Sequence, residues 1–329
     1  MPISKLASIG ARRGADGGTD APDPNATALA FAFDAGYIEP FKILIYSLMR
    51  AGAFVDHPVF IYSDDPGVFE DATVRLVADR LLPVEGTLRD DLYDVAQNHI
   101  QRNERAQWNR GTCLKWAVFA DSDVEQVLFL DVDMLCLQKF DPFLSLHLQA
   151  DLVGCAQFRR AMVQGIEPAD EAAVIRERLF GLIDETAKKY MGRLNSGVML
   201  VRKRLLSDDF RQQLIVFARS RNEINEQSIL THFFRAQEGE GRYVMKLVSS
   251  LYNFHESYLG VLDPIDANEV LARIKILHYP GSPKPWEARM STDTRLSTLL
   301  WWKYRASAQR ATTMLESRPE DVEDAVGED

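Results

Sequence analysis

Short apolar runs alternate with amphipathic segments through the middle of the chain. The run ALAFAF is typical of a β-strand. It leads into EPFKILIYSLMRAG, where apolar residues recur at helical spacing until Gly52. The pattern predicts further strands at HPVFIYS, EQVLFL, NSGVMLV, YVMKLV and KILHY, and further helices at DDPGVFEDATVRLVADR, TCLKWAVFAD, SDDFRQQLIVFARSR and EQSILTHFF. Such alternation, with almost continuously apolar strands, indicates an α/β fold with a mostly parallel sheet flanked by helices.

The two ends of the chain lack this pattern. Residues 1–27 are rich in Gly, Asp, Pro and Ala, and residues 311–329 are acidic and contain no aromatic side chain. Both segments are predicted to be flexible tails. The intervening residues 28–310 are predicted to form a single domain, with its ligands beyond the carboxyl ends of the strands.

Charge and cysteine content limit the function classes. The net charge of −10 argues against nucleic acid as a partner, because binding phosphates along a strand requires an excess of Lys and Arg. Three cysteines without metal-type spacing fit buried thiols in a reducing compartment. No apolar run is long enough to cross a bilayer. We therefore expect a cytoplasmic protein, and peripheral association with a membrane stays open.

The segment VLFLDVDMLCL carries the sharpest chemical signal. Asp131 and Asp133 follow an apolar strand, and their i, i+2 spacing directs both carboxylates to one side of extended backbone. Two carboxylates this close repel each other unless a cation lies between them. Mg²⁺ or Mn²⁺ bound by oxygen ligands would leave coordination positions open for substrate phosphates. The alternative is a phosphatase or nucleotidyltransferase in which Asp131 is a nucleophile, although no downstream acidic pair supports it.

A second signal lies near the end of the predicted domain, in KILHYPGSPKPW. His278 follows the last strand, and a neutral imidazole is a suitable third ligand for the ion held by the two aspartates. Gly281 would allow a phosphate to approach the backbone closely. Lys284 would neutralise diphosphate oxygens. Together these residues predict a metal-diphosphate site.

These motifs resemble those of the family 8 glycosyltransferases, the group that includes glycogenin and the bacterial lipopolysaccharide galactosyltransferases. That family carries a strand followed by D-x-D and a late H-x-x-G-x-x-K-P-W motif, here Asp131 to Asp133 and His278 to Trp286. Its opening motif matches AFAFDAGYIEP, its N-[SA]-G strand matches LNSGVMLV, and its D-Q segment matches NEQSILTHFF with one change. The resemblance runs from about residue 28 to residue 286 and implies a GT-A-type, Rossmann-like domain.

The resemblance also implies roles for individual residues at the donor. Asp34 would accept a hydrogen bond from the nucleotide base, and Tyr37 would pack on that base. Lys115 would approach the donor sugar and phosphates, and Asn195 would contact the sugar. By the same resemblance, Glu226 and Gln227 would lie near the anomeric carbon. Gly281 and Lys284 would bind the diphosphate. The ion, Mn²⁺ or Mg²⁺, would be held by Asp131, Asp133 and His278.

The implied activity is retaining, metal-dependent transfer of a hexose, galactose or glucose, from a UDP-sugar to a carbohydrate, glycolipid or other hydroxyl acceptor. Two departures from the family pattern affect the sugar. Glu226-Gln227-Ser228 stands where the family has Asp-Gln-Asp, and Gln157 stands where a donor-sugar Asp is expected. These departures keep open a second hypothesis, a protein that binds a nucleotide sugar without turning it over.

Overall fold

A central seven-stranded sheet organises the first of two compact units, residues Met1–Pro280. The computed structural model describes residues 26–100, 106–157, 168–187, 190, 193–287 and 295–316. In chain order the strands are β1 Thr27–Ala32, β2 Val59–Ser63, β3 Arg80–Pro83, β4 Gln126–Leu130, β5 Met134–Cys136, β6 Leu152–Gln157, β7 Arg193–Arg202, β8 Met245–Val248, β9 Phe254–His255 and β10 Ile276–His278.

The strand order in the central sheet is β3-β2-β1-β4-β7-β6-β8. Neighbouring strands pair in parallel except where β7 meets β4 and β6, so β7 runs opposite to the rest of this sheet in the described part of the chain. The predicted mostly parallel sheet is confirmed. Because β7 is reversed, its first residues lie at the same sheet edge as the last residues of β4 and β6. A smaller sheet has the order β5-β10-β9.

Helices flank the sheet as predicted, but two of the predicted helices take a different form, and helices such as those over residues 86–98 and 264–273 were not predicted. The helices are α1 Ile38–Ala51, α2 Pro66–Glu70, α3 Ala72–Val77, α4 Gly86–Asn98, α5 Ala106–Leu114, α6 Pro168–Leu182, α7 Asp208–Arg219, α8 Glu226–Gly239, α9 Pro264–Arg273 and α10 Leu296–Glu316. The helix predicted over 64–80 is split at Asp71, whose carboxylate accepts hydrogen bonds from the backbone of Thr73 and Val74 and so begins a new helix. The helix predicted at TCLKWAVFAD ends at Leu114 and continues as the 3₁₀ turn Lys115–Val118.

Both faces of the central sheet are buried. Along β4, Val127 and Phe129 belong to one hydrophobic cluster, whereas Leu128 and Leu130 belong to the other. This arrangement explains why the strand sequences are almost continuously apolar rather than alternating. The predicted burial of the cysteines is also borne out, since Cys113, Cys136 and Cys155 are all buried and unpaired.

The second compact unit spans Gly281–Asp329 and contains the long helix α10. In it, the rings of Trp286 and Trp301 lie 5.5 Å apart, and the Arg305 guanidinium lies 4.6 Å from the ring centre of Trp302. The predicted tails lie mostly outside the described residues, and the domain boundaries stay predictions. None of the described helices combines the length and the apolar character that a membrane span requires.

Candidate active site

The D-x-D segment and the late histidine meet through the small sheet. Asp131 follows the last residue of β4, and Asp133 immediately precedes β5. Strand β5 pairs antiparallel with β10, and His278 is opposite Met134 in that pairing. The backbone N–H of Tyr279 also donates to the carbonyl of Asp133 at 2.9 Å. These pairings bring a residue from the end of the first unit beside two carboxylates from its middle.

The three side chains have the geometry of a metal site. Nε2 of His278 lies 3.1 Å from Oδ1 of Asp133 and 3.8 Å from Oδ2 of Asp131. One ligand atom from each residue lies within 4.8 Å of the other two. Oxygen and imidazole ligands at this spacing fit a divalent cation such as Mn²⁺. Among the described residues, this is the one such group of His, Cys, Asp and Glu.

The imidazole of His278 is held by a second residue that the sequence did not indicate. Its Nδ1 lies 2.8 Å from Oδ1 of Asn253, and both residues are buried. With the amide oxygen facing the ring, Nδ1 carries the proton and donates it, which leaves the Nε2 lone pair directed at the carboxylates. Asn253 therefore selects the tautomer that can ligate a cation.

Lys115 lies beneath the aspartates, 3% exposed. Its Nζ lies 2.8 Å from Oδ1 and 3.0 Å from Oδ2 of Asp131, and 3.7 Å from Oε1 of Glu226. It also donates to Oγ of Ser196 at 3.3 Å. Burial disfavours the ammonium, but the attraction of Asp131 and Glu226 outweighs that effect and raises the pKa of Lys115 above its ordinary value. Lys115 is therefore a fixed positive charge at the base of the site.

The predicted base-binding residues lie beyond the end of β1. Asp34 caps a short 3₁₀ turn, Ala35–Tyr37, by accepting from the backbone N–H of Gly36 at 2.9 Å. Burial is the main reason that the pKa of Asp34 is raised, and the nearby Asp64 and Asp65 raise it further. The half-buried Tyr37 ends the turn. Asp34 and Tyr37 therefore place a hydrogen-bond acceptor and an aromatic ring close together at the end of β1.

The predicted sugar-binding residues lie at the start of β7 and at the first turn of α8. Oδ1 of Asn195 accepts from the backbone N–H of Gly197 at 3.1 Å. Oε1 of Gln227 accepts from the backbone N–H of Ser196 at 3.1 Å, and the Ser196 hydroxyl donates to Glu226 at 2.9 Å. These bonds hold the first turn of α8 against β7.

The predicted site residues of the first unit line one pocket of about 280 Å³, and Asn253 lies behind His278 outside this lining. Its lining includes the predicted residues Asp34, Tyr37, Lys115, Asp131, Asp133, Asn195, Glu226, Gln227 and His278. Gly281 and Lys284 belong to the second unit, and their contact with a diphosphate stays a prediction. Gln157, the residue expected where the family has an Asp, also lines the pocket, as does Arg193, which the sequence did not indicate.

The matches to known proteins agree with this geometry. The family model described as glycosyl transferase family 8 matches residues 28–289 of the chain. The chain belongs to glycosyl transferase family 8. No curated protein matches this family 8 glycosyltransferase significantly.

Solved structures share its fold at low sequence identity. A galactosyltransferase, LgtC, crystallised with donor and acceptor sugar analogues, is 18% identical with a TM-score of 0.55; the match covers 85% of our chain and 95% of LgtC. The glycosyltransferase GlyE of Streptococcus pneumoniae is also 18% identical, with a TM-score of 0.50. That match covers 89% of this glycosyltransferase and 64% of GlyE. These similarities support the GT-A-type fold.

Proposed function

We propose that the protein is a retaining, metal-dependent hexosyltransferase that moves a sugar from a UDP-sugar to a hydroxyl acceptor. The observation that carries this proposal is the convergence of Asp131, Asp133 and His278 in a pocket with Lys115 at its base. Two carboxylates and a tautomer-fixed imidazole fit Mn²⁺ or Mg²⁺, with the imidazole favouring Mn²⁺. A bound cation would neutralise the departing diphosphate.

The other side chains of the pocket would bind and orient the donor. Asp34 and Tyr37 would bind the base at one end, and Asn195 and Gln227 would orient the sugar at the other. Glu226 would keep Lys115 charged and in place, so that this charge is preorganised before the leaving group forms. We assign Glu226 this electrostatic role because its carboxylate is buried and lies 3.7 Å from the Lys115 ammonium.

The proposed reaction is a same-face substitution. The bond from the anomeric carbon to the diphosphate oxygen breaks, and the acceptor oxygen forms a bond on the face that the diphosphate leaves. The acceptor proton passes to the departing diphosphate oxygen. Gln227 would stabilise the cationic sugar through its amide, without a covalent intermediate. A glycan or glycolipid in the cytoplasm is the acceptor class and location that we expect.

Hydrolysis of the donor without an acceptor tests this proposal. UDP-galactose and UDP-glucose are incubated with the protein and Mn²⁺, released UDP is measured, and the first-formed anomer is identified by NMR. We expect slow release of α-hexose that stops when EDTA is added and resumes with excess Mn²⁺. Binding of UDP-sugars without any release would instead favour the non-catalytic alternative, and full activity in EDTA would contradict metal dependence.

A further inference from the structure

Three carboxamide side chains line the pocket beside the residues that would contact the donor sugar. Gln157 is the last residue of β6, Asn195 is the third residue of β7, and Asn225 is the N-cap of α8. Strands β6 and β7 are paired, and the first turn of α8 is held against β7. The three side chains therefore belong to the same end of the pocket.

The oxygen of each carboxamide is already bonded to a group that can only donate. Oε1 of Gln157 accepts from Nε of Arg193 at 2.9 Å, Oδ1 of Asn195 accepts from the backbone N–H of Gly197 at 3.1 Å, and Oδ1 of Asn225 accepts from the backbone N–H of Ser228 at 3.0 Å. Guanidinium and backbone nitrogens offer no lone pair, so an NH₂ group cannot take the place of these oxygens. The orientation of all three carboxamides is therefore fixed.

This orientation leaves the NH₂ group of each residue as the part that a ligand can contact. Within the described ranges of the chain, no protein group accepts a hydrogen bond from Nε2 of Gln157 or from Nδ2 of Asn195 and Asn225. All three nitrogens keep accessible surface. An NH₂ group has two N–H donors and no acceptor, so this end of the pocket presents fixed, neutral donors.

Two positions near these NH₂ groups lack a carboxylate that the family pattern has. Gln157 and Ser228 each stand where an Asp is expected, and Glu226, which keeps a carboxylate, is buried 3.7 Å from the ammonium of Lys115. A sugar hydroxyl donates a hydrogen bond as well as accepting, so it needs an acceptor in addition to an NH₂ group. A carbonyl oxygen accepts through two lone pairs and donates nothing. Fixed NH₂ donors are therefore better matched by a carbonyl oxygen than by a hydroxyl.

We propose that the donor is a nucleoside-diphosphate sugar with an acylamino group, such as a 2-acetamido hexose, and that Gln157, Asn195 and Asn225 select it by donating to its carbonyl oxygen. This inference rests on the proposed function and names its donor class. A carboxylate also accepts without donating, but its usual partners are charged donors, and the three NH₂ groups are neutral. An acylamino group on the acceptor would have the same chemistry, so the test omits the acceptor.

The test compares donors in acceptor-free hydrolysis with Mn²⁺. UDP-N-acetylglucosamine and UDP-N-acetylgalactosamine are compared with UDP-glucose, UDP-galactose and UDP-glucuronate, and kcat/KM is measured for each. We expect one of the two acetamido donors to exceed the hexoses by about 10- to 100-fold, which corresponds to one or two hydrogen bonds at a site closed to water. A higher value for a hexose donor or for UDP-glucuronate would overturn the inference.

Two nearly isosteric variants replace a single NH₂ group by an acceptor oxygen. Gln157→Glu keeps an acceptor for Arg193, and Asn225→Asp keeps a good N-cap for α8. In each, the carbonyl oxygen would meet a carboxylate oxygen, so the acetamido-to-hexose ratio of kcat/KM should fall by about 10- to 100-fold. Gln212→Glu adds the same charge at an exposed residue of α7 outside the pocket lining and should leave the ratio unchanged. An unchanged ratio in both pocket variants, or an equal fall in Gln212→Glu, would contradict the selection of a carbonyl group.

Binding of UDP alone separates the two proposals. UDP with Mn²⁺ should raise the melting temperature of the wild type, although UDP has no sugar. If UDP does not bind, the proposed function itself fails. If UDP binds but the acetamido donors have no advantage over the hexoses, only the inference about the donor fails.

Discussion

A methyl group on Gly197 would lie 2.6 Å from Cε1 and 2.9 Å from Nδ1 of His278. It would also lie 2.7 Å from Cε of Met134. Met134 is paired with His278 in the small sheet. Contacts this short do not occur in stable structures, so the imidazole can occupy its position only because residue 197 has no side chain. The glycine of the N-S-G strand therefore makes room for His278, the proposed third metal ligand.

Gly197→Ala should displace His278 from the carboxylates. We expect a loss of donor hydrolysis of about a hundredfold or more, as when an electrostatic stabiliser is removed. Overpacking at a buried site should lower the free energy of unfolding by about 1–3 kcal/mol. Urea unfolding and UDP release measure the two effects, with activity assayed well below the unfolding transition.

The matched control for this variant is Gly181→Ala. Gly181 lies in α6, and a methyl group there would meet nothing within 4 Å. Alanine is the better helix former, so the control should gain about 0.5–1 kcal/mol of stability and keep its activity. Equal activity in the two alanine variants would show that the close approach of Gly197 to His278 is not required.

Asn253 should act through His278 rather than on the substrate. Asn253→Ala removes the acceptor at Nδ1, and the loss of such a partner typically weakens metal affinity about 10- to 100-fold. We expect the Mn²⁺ concentration for half-maximal hydrolysis to rise by that factor, while the rate at saturating Mn²⁺ largely recovers.

The conservative variant Asn253→Asp is the control for that prediction. Its carboxylate keeps an acceptor for Nδ1–H, so the half-maximal Mn²⁺ concentration should return towards the wild-type value. An identical Mn²⁺ dependence in wild type and Asn253→Ala would remove Asn253 from the positioning of the ligand.

The central sheet and the candidate metal-binding aspartates could be predicted from the sequence because their signals are local. A fully apolar strand such as β4 indicates that both of its faces are buried. Two aspartates spaced i, i+2 after that strand are close together whatever the rest of the fold. The strands that were not predicted are short, or the hydrophobic pattern around them is weak. Strand β5 has three residues and β9 has two, and both exist only because β10 pairs with them.

Other parts of the site depend on contacts between distant segments. No recognisable sequence motif surrounds Asn253. Its contact with His278 depends on the pairing of β9 with β10. Arg193 stands two residues before the recognisable Asn195, but its bond to Ser228 joins β7 to α8 across the fold. A tertiary hydrogen bond of this kind leaves no periodic pattern in the chain. Only the assembled structure relates these residues to the pocket.

Tyr37 should contribute to nucleotide binding through its ring. Stacking of a base on an aromatic side chain is worth about 1–3 kcal/mol, so Tyr37→Ala should weaken UDP binding by about 10- to 100-fold. Calorimetric titration of UDP in the presence of Mn²⁺ measures the Kd. Tyr46→Ala, on α1 and outside the pocket lining, should bind UDP as the wild type does. If the two tyrosine variants bind UDP equally well, Tyr37 does not contact the base.

Asp133→Asn is the most direct test of the metal site. Asp133 is 8% exposed, and asparagine nearly preserves its shape, so the fold should persist without opening a cavity. The substitution removes one negative charge from the pair with Asp131. We therefore expect the melting temperature without metal to stay the same or rise. Donor hydrolysis should fall by about a hundredfold to a thousandfold, because the charge that stabilises the leaving diphosphate is no longer held in place.

Metal binding itself provides the second measurement for this variant. Mn²⁺ should raise the melting temperature of the wild type but have little effect on Asp133→Asn, because a ligand stabilises only the folded protein that binds it. Asp90→Asn removes the same charge from an exposed side chain and should behave as the wild type in both assays. If Mn²⁺ stabilised Asp133→Asn as strongly as the wild type, the cation would bind elsewhere. The role of Asp131 and His278 as its ligands would then lose its support, because all three residues are expected to bind one ion.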